Sequence, residues 1–219
     1  MPQFWVEFTT IALAHGLAVA SPGPDFAVVT QHSLRQGHRV AYLTSAGIAI
    51  GILVHVMYSL LGVGWLMQST PLLFESIKLL GACYLLYLGW TGLRSTPRTA
   101  IVQADNESHG VPSLPGLRAF RQGFLTNVLN PKATLFFVSL FAVAVSPETP
   151  LWALAVYGLW MSLATLLWFM AVATLFGHPG VRRKLLSQSH WIDRCMGSVL
   201  IAIGLHILLV DQTLLPIAW

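Results

Sequence analysis

Ser21-Pro22-Gly23-Pro24-Asp25-Phe26 interrupts what would otherwise be one long apolar segment, with Phe4 to Ala20 before it and Phe26 to Thr30 after it. Pro22 and Pro24 each lack a backbone donor and obstruct the carbonyl one turn earlier, and Gly23 between them loosens the chain. A helix cannot run through such a sequence. In hydrocarbon, broken backbone survives only where protein or a water-filled cavity satisfies the freed polar groups. Asp25 adds a carboxylate at the same depth, and an ionisable side chain there points to a functional site. A second break, Asn130-Pro131-Lys132, follows about a hundred residues later and carries the opposite charge. Charged helix breaks at corresponding places in two halves of a chain are the mark of a transporter.

Composition places the chain in a membrane. Of its 219 residues 55% are hydrophobic and 9% charged, and the mean hydropathy is +0.69. Soluble domains carry about 25% charged residues. The net charge of +4 is spread over short loops with no basic face, so nucleic acid is not an expected partner. Cys83 and Cys195 offer neither a disulfide framework nor metal spacing and are expected to be small buried apolar residues. The eight histidines show no metal-binding pattern, and no cofactor is expected. Gly-x-Ser-x-Gly, His-Glu-x-x-His and paired intramembrane aspartates are all missing, which argues against an enzyme.

A membrane helix needs about 20 apolar residues. Six segments qualify, near residues 4–33 (broken), 40–67, 71–94, 119–145 (broken), 150–177 and 191–210. The fold expected is an all-α integral membrane protein with six transmembrane helices, the first and fourth broken. Ala18-Val19-Ala20 before Ser21 looks like a signal-peptide cleavage site, but the preceding residues lack a positive n-region, so the first segment is expected to remain as a helix. Arg35, Arg39, Arg94, Arg98, Arg118, Arg121 and the Arg182-Arg183-Lys184 cluster fall at one set of ends. Glu7, Glu75, Glu148 and Asp211 fall at the other. Basic loops stay in the cytoplasm, so both termini are expected outside. Trp5, Trp65, Trp152 and Trp219 would mark the outer interface, with Trp90 and Trp191 at the inner one.

Residues 95–118 form the one extended polar stretch, read as a cytoplasmic linker between a first three-helix repeat, 1–94, and a second, 119–219. Three spans per half force the halves into opposite orientations, giving an inverted repeat. Pro24-Asp25-Phe26 would then correspond to Pro131-Lys132-Ala133.

Candidate site residues gather at the breaks: Pro22, Gly23, Pro24 and Asp25 in the first, and Asn127, Asn130, Pro131 and Lys132 in the second. Pro131 removes the N–H that would have closed on the carbonyl of Asn127. His55 joins them because Gly47, Gly51, His55 and Ser59 recur every four residues on one helix face. The glycines and serines of that face, like Gly158, Ser162 and Thr165, read first as packing surfaces. His55 is open to two readings, proton relay or a hydrogen-bonded structural imidazole. His15 and His206 each lie alone on an apolar face. Asp25 and Lys132 are expected to pair when no solute is bound, since each offsets the other's desolvation.

These residues carry a resemblance. Ser21-Pro22-Gly23-Pro24-Asp25-Phe26 together with Asn127 and Leu129-Asn130-Pro131-Lys132-Ala133-Thr134-Leu135-Phe136-Phe137 resembles the lysine exporter/homoserine–threonine resistance superfamily, most of all its threonine-exporter branch. Gly47-x3-Gly51 with His55, Tyr84-x2-Tyr87-Leu88-Gly89 and Gly204-Leu205-His206 extend the likeness over almost the whole chain. The resemblance implies efflux of amino acids or close derivatives across a bacterial inner membrane, driven by the proton gradient. The partners expected are the amino-acid solute, protons, membrane lipid and, at most, a second copy of the chain. A channel-like or lipid-translocating protein without proton coupling is the alternative.

Overall fold

The computed structural model of the chain describes residues 2–69, 71–96, 114–146, 148–176 and 179–210. Those residues form eight α-helices and no strand: α1 Pro2–Ala20, α2 Pro24–Gln36, α3 His38–Ser69, α4 Pro71–Leu93, α5 Gly116–Val128, α6 Pro131–Ala144, α7 Leu151–Leu175 and α8 Pro179–Val210. Most of the expected linker and the residues from Asp211 onward, Trp219 among them, lie outside the described residues.

Both expected breaks are present, and each bends the chain. α1 and α2 meet at 51°, and α5 and α6 at 57°. At the first, Ser21 N–H still reaches the carbonyls of Leu17 and Ala18, but Pro22 and Pro24 have no donor, so the ladder restarts only with Ala27 N–H on Gly23 O. At the second, Asn130 N–H folds back onto Asn127 O, and Thr134 N–H on Asn130 O opens the next helix. The corner between α2 and α3 turns at Gly37, whose φ of 85° suits only glycine well.

By length and composition α3, α7 and α8 can each cross a membrane, and each bent pair passes the same test when taken as one span, giving up to five spans. α4 is helical where a span was expected and is not among those five. α8 starts earlier than expected, so Arg182, Arg183 and Lys184 stand within a helix rather than in a loop.

The helices of the two chain halves interleave. α3 packs along α5 and α7, α4 along α8 and α6, and α1 along α7 and α8. The closest approaches are made backbone to backbone over glycine. A Cβ at Gly47 would stand 2.0 Å from the carbonyl oxygen of Phe120, and one at Gly123 would stand 2.1 Å from that of Thr44. Gly92 and Gly197 make the same kind of seam between α4 and α8. Gly158 meets Val56, and Ser162 Oγ donates to Ala49 O at 2.8 Å. The small-residue faces are thus packing surfaces, as the spacing predicts.

Large apolar side chains such as Leu72, Leu151 and Leu159 are exposed on the outside of the bundle, which suits a lipid surround. Cys83 and Cys195 are exposed as well, contrary to expectation. An apolar segment in lipid need not hide its apolar side chains, so membership of one says nothing about burial. Trp5, Trp90, Trp152 and Trp191 are all exposed. Arg94 and Arg194 stack over the rings of Trp90 and Trp191, 4.3 and 5.3 Å from their centroids.

Candidate functional site

The two breaks line one cavity. Gly23, Pro24 and Asp25 come from the first, and Asn127, Asn130 and Lys132 from the second. The cavity is of about 80 Å³, room for a few waters or part of a small solute. Phe136, Phe137, Phe169 and Met196 supply apolar wall. Pro22, Pro131 and His55 are not among the residues that line it.

Asp25 and Lys132 hold the same local position: each follows the proline that opens its helix, α2 or α6. Their electrostatic settings are opposite. An acid in the first turn is favoured by the helix dipole, whereas a cation there is disfavoured, each by about 0.3–1 kcal/mol. Lys132 thus stands against the dipole of its own helix. Asn130 caps α6 by accepting Lys132 N–H at 3.1 Å on its side-chain oxygen. Gly23, extended at φ −148°, caps α2 without a side chain.

Asp25 is bonded to the second break, through Asn127. Asn127 Nδ2 donates to Asp25 Oδ2 at 2.8 Å. The other oxygen of each side chain, Asp25 Oδ1 and Asn127 Oδ1, is buried without a hydrogen-bond partner. Lys132 is exposed at the rim of the same cavity.

His55 is fully buried, and its Nε2 lies 3.0 Å from Asn127 O. A carbonyl only accepts, so Nε2 carries the proton and Nδ1 accepts from Tyr58 Oη at 2.5 Å. The ring lies flat on Phe137, centroids 5.2 Å apart. His55 thus donates to the carbonyl that Pro131 leaves without its helical donor.

Three residues matter here that the sequence alone does not single out. His15, 2% exposed, lines the cavity with its Nε2 held by Met161 O (3.2 Å) and Thr165 Oγ1 (3.0 Å). Asp193 on α8 is buried and accepts from Ser21 Oγ at 2.6 Å and Ser95 Oγ at 2.7 Å, tying the first break to the end of α4. Glu7 is buried too, accepting from Thr149 Oγ1 (2.8 Å), Tyr157 Oη (3.1 Å) and Ser146 N (3.2 Å). An acid inside an apolar segment is the signal that could have found both carboxylates. Basic neighbours obscure Asp193, and Glu7 reads from sequence only as an orientation charge.

Broken helices packed around a polar cavity, in a bundle with an apolar exterior, define a membrane translocator rather than an enzyme. Comparison with known proteins agrees: residues 17–211 match the family described as LysE type translocator. The chain belongs to that family. It is 32% identical over 202 residues to the threonine efflux protein of Escherichia coli (strain K12), covering 92% of this chain and 97% of that protein. The threonine efflux protein of Salmonella typhimurium (strain LT2) is similar to the same extent. The leucine efflux protein of Enterobacter sp. (strain 638) is 32% identical over 136 residues, 62% of each chain. No solved structure matches the chain.

Proposed function

We propose that this protein is a secondary active exporter of small amino acids across a bacterial inner membrane, working by proton antiport. Six spans would form two inverted repeats, 1–94 and 119–219, joined by a cytoplasmic linker at 95–118, with both termini outside. The observation that carries the reading is the meeting of two oppositely charged breaks in one cavity. A zwitterion needs a negative partner for its ammonium and a positive one for its carboxylate. Asp25 Oδ1 and Asn127 Oδ1, buried acceptors without donors, suit the ammonium. Lys132 and the opening turns of α2 and α6 suit the carboxylate, since both helix N-termini face the cavity. The efflux proteins among the relatives support the same solute class.

Asp25 is the proton site in this reading. Protonated from outside it would let go of the ammonium, and deprotonated toward the cytoplasm it would take up the next. Rocking of the bundle about the cavity would expose it to each side in turn. The test is efflux of an amino-acid panel from proteoliposomes with and without an imposed pH gradient. Saturable efflux that rises with the gradient and disappears in Asp25→Asn is the expected result. Unsaturable flux indifferent to the gradient would identify a channel instead.

A further inference from the structure

A second polar chamber lies directly behind the Asp25–Asn127 contact. α2 and α5 run antiparallel and touch at both ends. Asp25 meets Asn127 at one end, and at the other Gln36 Oε1 accepts from the backbone N–H of Leu114 at 2.9 Å. Between these contacts the helices part around a space of about 380 Å³. Gln31, His32 and Arg35 line it from α2, and Gln122 and Thr126 from α5. Val28 and Thr126, which line this chamber, lie within one turn along α2 and α5 of Asp25 and Asn127, which line the central cavity. The chamber's far end is the strongly basic end of the bundle, with Arg35 and Arg39 on one side and Arg118 and Arg121 on the other.

Its side chains are of two kinds. His32 is buried and fixed: Nδ1 donates to Thr44 Oγ1 at 2.6 Å, and that hydroxyl passes its own proton to Val40 O at 3.0 Å. It holds α2 to α3 as a wall. Gln31, Arg35 and Gln122 are exposed, and Gln122 also hydrogen-bonds His32. A guanidinium offers a planar fork matched to a carboxylate, and two primary amides beside it can complete the contact.

We propose that this chamber is a cytoplasmic intake site, in which Arg35 takes the solute's carboxylate before the solute passes the Asp25–Asn127 pair. The inference rests on the export reading and adds to it a specificity element for solutes with a free α-carboxylate. A wide, solvated first station with one cation, followed by a narrow cavity holding both charges, lets the solute lose its water in two stages. The intake contact forms before the central one, so it governs apparent affinity and leaves the rate of the central step alone.

The test uses inside-out membrane vesicles, whose outer face is the cytoplasmic one, with initial uptake of radiolabelled threonine measured over a range of concentrations. Rates are normalised to the protein in each vesicle preparation. Arg35→Gln should raise KM about three- to tenfold at nearly unchanged maximal rate, as expected for one lost charge-assisted contact. Arg35→Lys should recover part of the loss. Arg39→Gln removes a neighbouring charge outside the chamber and should behave as wild type. Threonine amide, which lacks the carboxylate, should compete poorly against wild type and lose part of that disadvantage against Arg35→Gln, the rest being set at the central cavity. An unchanged KM in Arg35→Gln, a lowered maximal rate alone, or an equal effect of Arg39→Gln would overturn the intake site while leaving export standing. Wild-type vesicles that carry no amino acid would overturn export and the intake site together.

Discussion

Placing a methyl group on Gly123 should force α3 and α5 apart. The new Cβ would stand 2.1 Å from the carbonyl oxygen of Thr44 and 3.0 Å from its Cγ2, whereas an ordinary contact is 3.4–4 Å. The nearest atom is backbone, so no rotamer change relieves the clash and the helices must separate by more than an ångström. Overpacking of this kind costs about 1–3 kcal/mol. The same shift acts on the bond from His55 Nε2 to Asn127 O, now 3.0 Å, which would pass beyond hydrogen-bonding range. The carbonyl keeps its bond from Asn130 N–H, so losing the imidazole donor adds the net worth of one hydrogen bond, about 0.5–1.5 kcal/mol, and Gly123→Ala should lose about 1.5–4.5 kcal/mol in all. Denaturant unfolding in mixed micelles measures it. Gly62→Ala is the control, because nothing lies within 4 Å of a Cβ there, and it should stay within about 0.5 kcal/mol of wild type or gain from alanine's higher helix propensity. Equal stability of Gly123→Ala and wild type, or equal damage at Gly62, would show that the glycine seam is not what holds α3 to α5.

Other outcomes follow from the site. Asp25→Ala and Asn127→Ala should be non-additive in stability by about 1.5–3 kcal/mol, the worth of a hydrogen bond to a charged group, while Asp25 with Lys132, exposed at the rim, should couple by less than about 1 kcal/mol. A double-mutant cycle for each pair decides, and stronger coupling of Asp25 to Lys132 than to Asn127 would refute this ranking and favour the direct ion pair expected from sequence. His55→Leu should destabilise by about 0.5–1.5 kcal/mol by removing one of the two donors to the Asn127 carbonyl, and His55→Gln, which keeps an N–H donor, should recover part of that. Equal losses in the same unfolding assay would mean that the donor is immaterial. In intact cells Glu148→Cys should react with an impermeant thiol reagent and Arg39→Cys should not, in a background lacking Cys83 and Cys195. The reverse pattern would invert the topology.

Sequence and structure agree most closely where the physics is local. A proline lacks its donor whatever surrounds it, so both breaks fall where they are expected and Asp25 and Lys132 open the helices after them. The partner of Asp25 is a different kind of fact. It depends on which residue α5 carries to the end of its run beside α3, and glycine contacts at 47, 51 and 123 set that register. No spacing within one segment encodes it, so the hydrogen bond from Asn127 to Asp25 is not legible in the sequence. Asp193 shows the same limit: its partners Ser21 and Ser95 lie far away in the chain. The cavity role of His15 is hidden likewise, since a lone histidine on an apolar helix looks identical whether it faces lipid or a polar space.

The interleaving of the two halves also bears on how the protein is made. In a chain made from its N-terminus, α3 and α4 exist before the helices that fill their glycine grooves, α5 and α8. Until then those grooves stand uncovered by their partners. α8 arrives last, and it both covers the groove of α4 and brings Asp193 to Ser21 and Ser95. Assembly is therefore sealed from the C-terminal end. Until α8 is made, the first break lacks the carboxylate that accepts from Ser21, and the end of α4 lacks the one that accepts from Ser95.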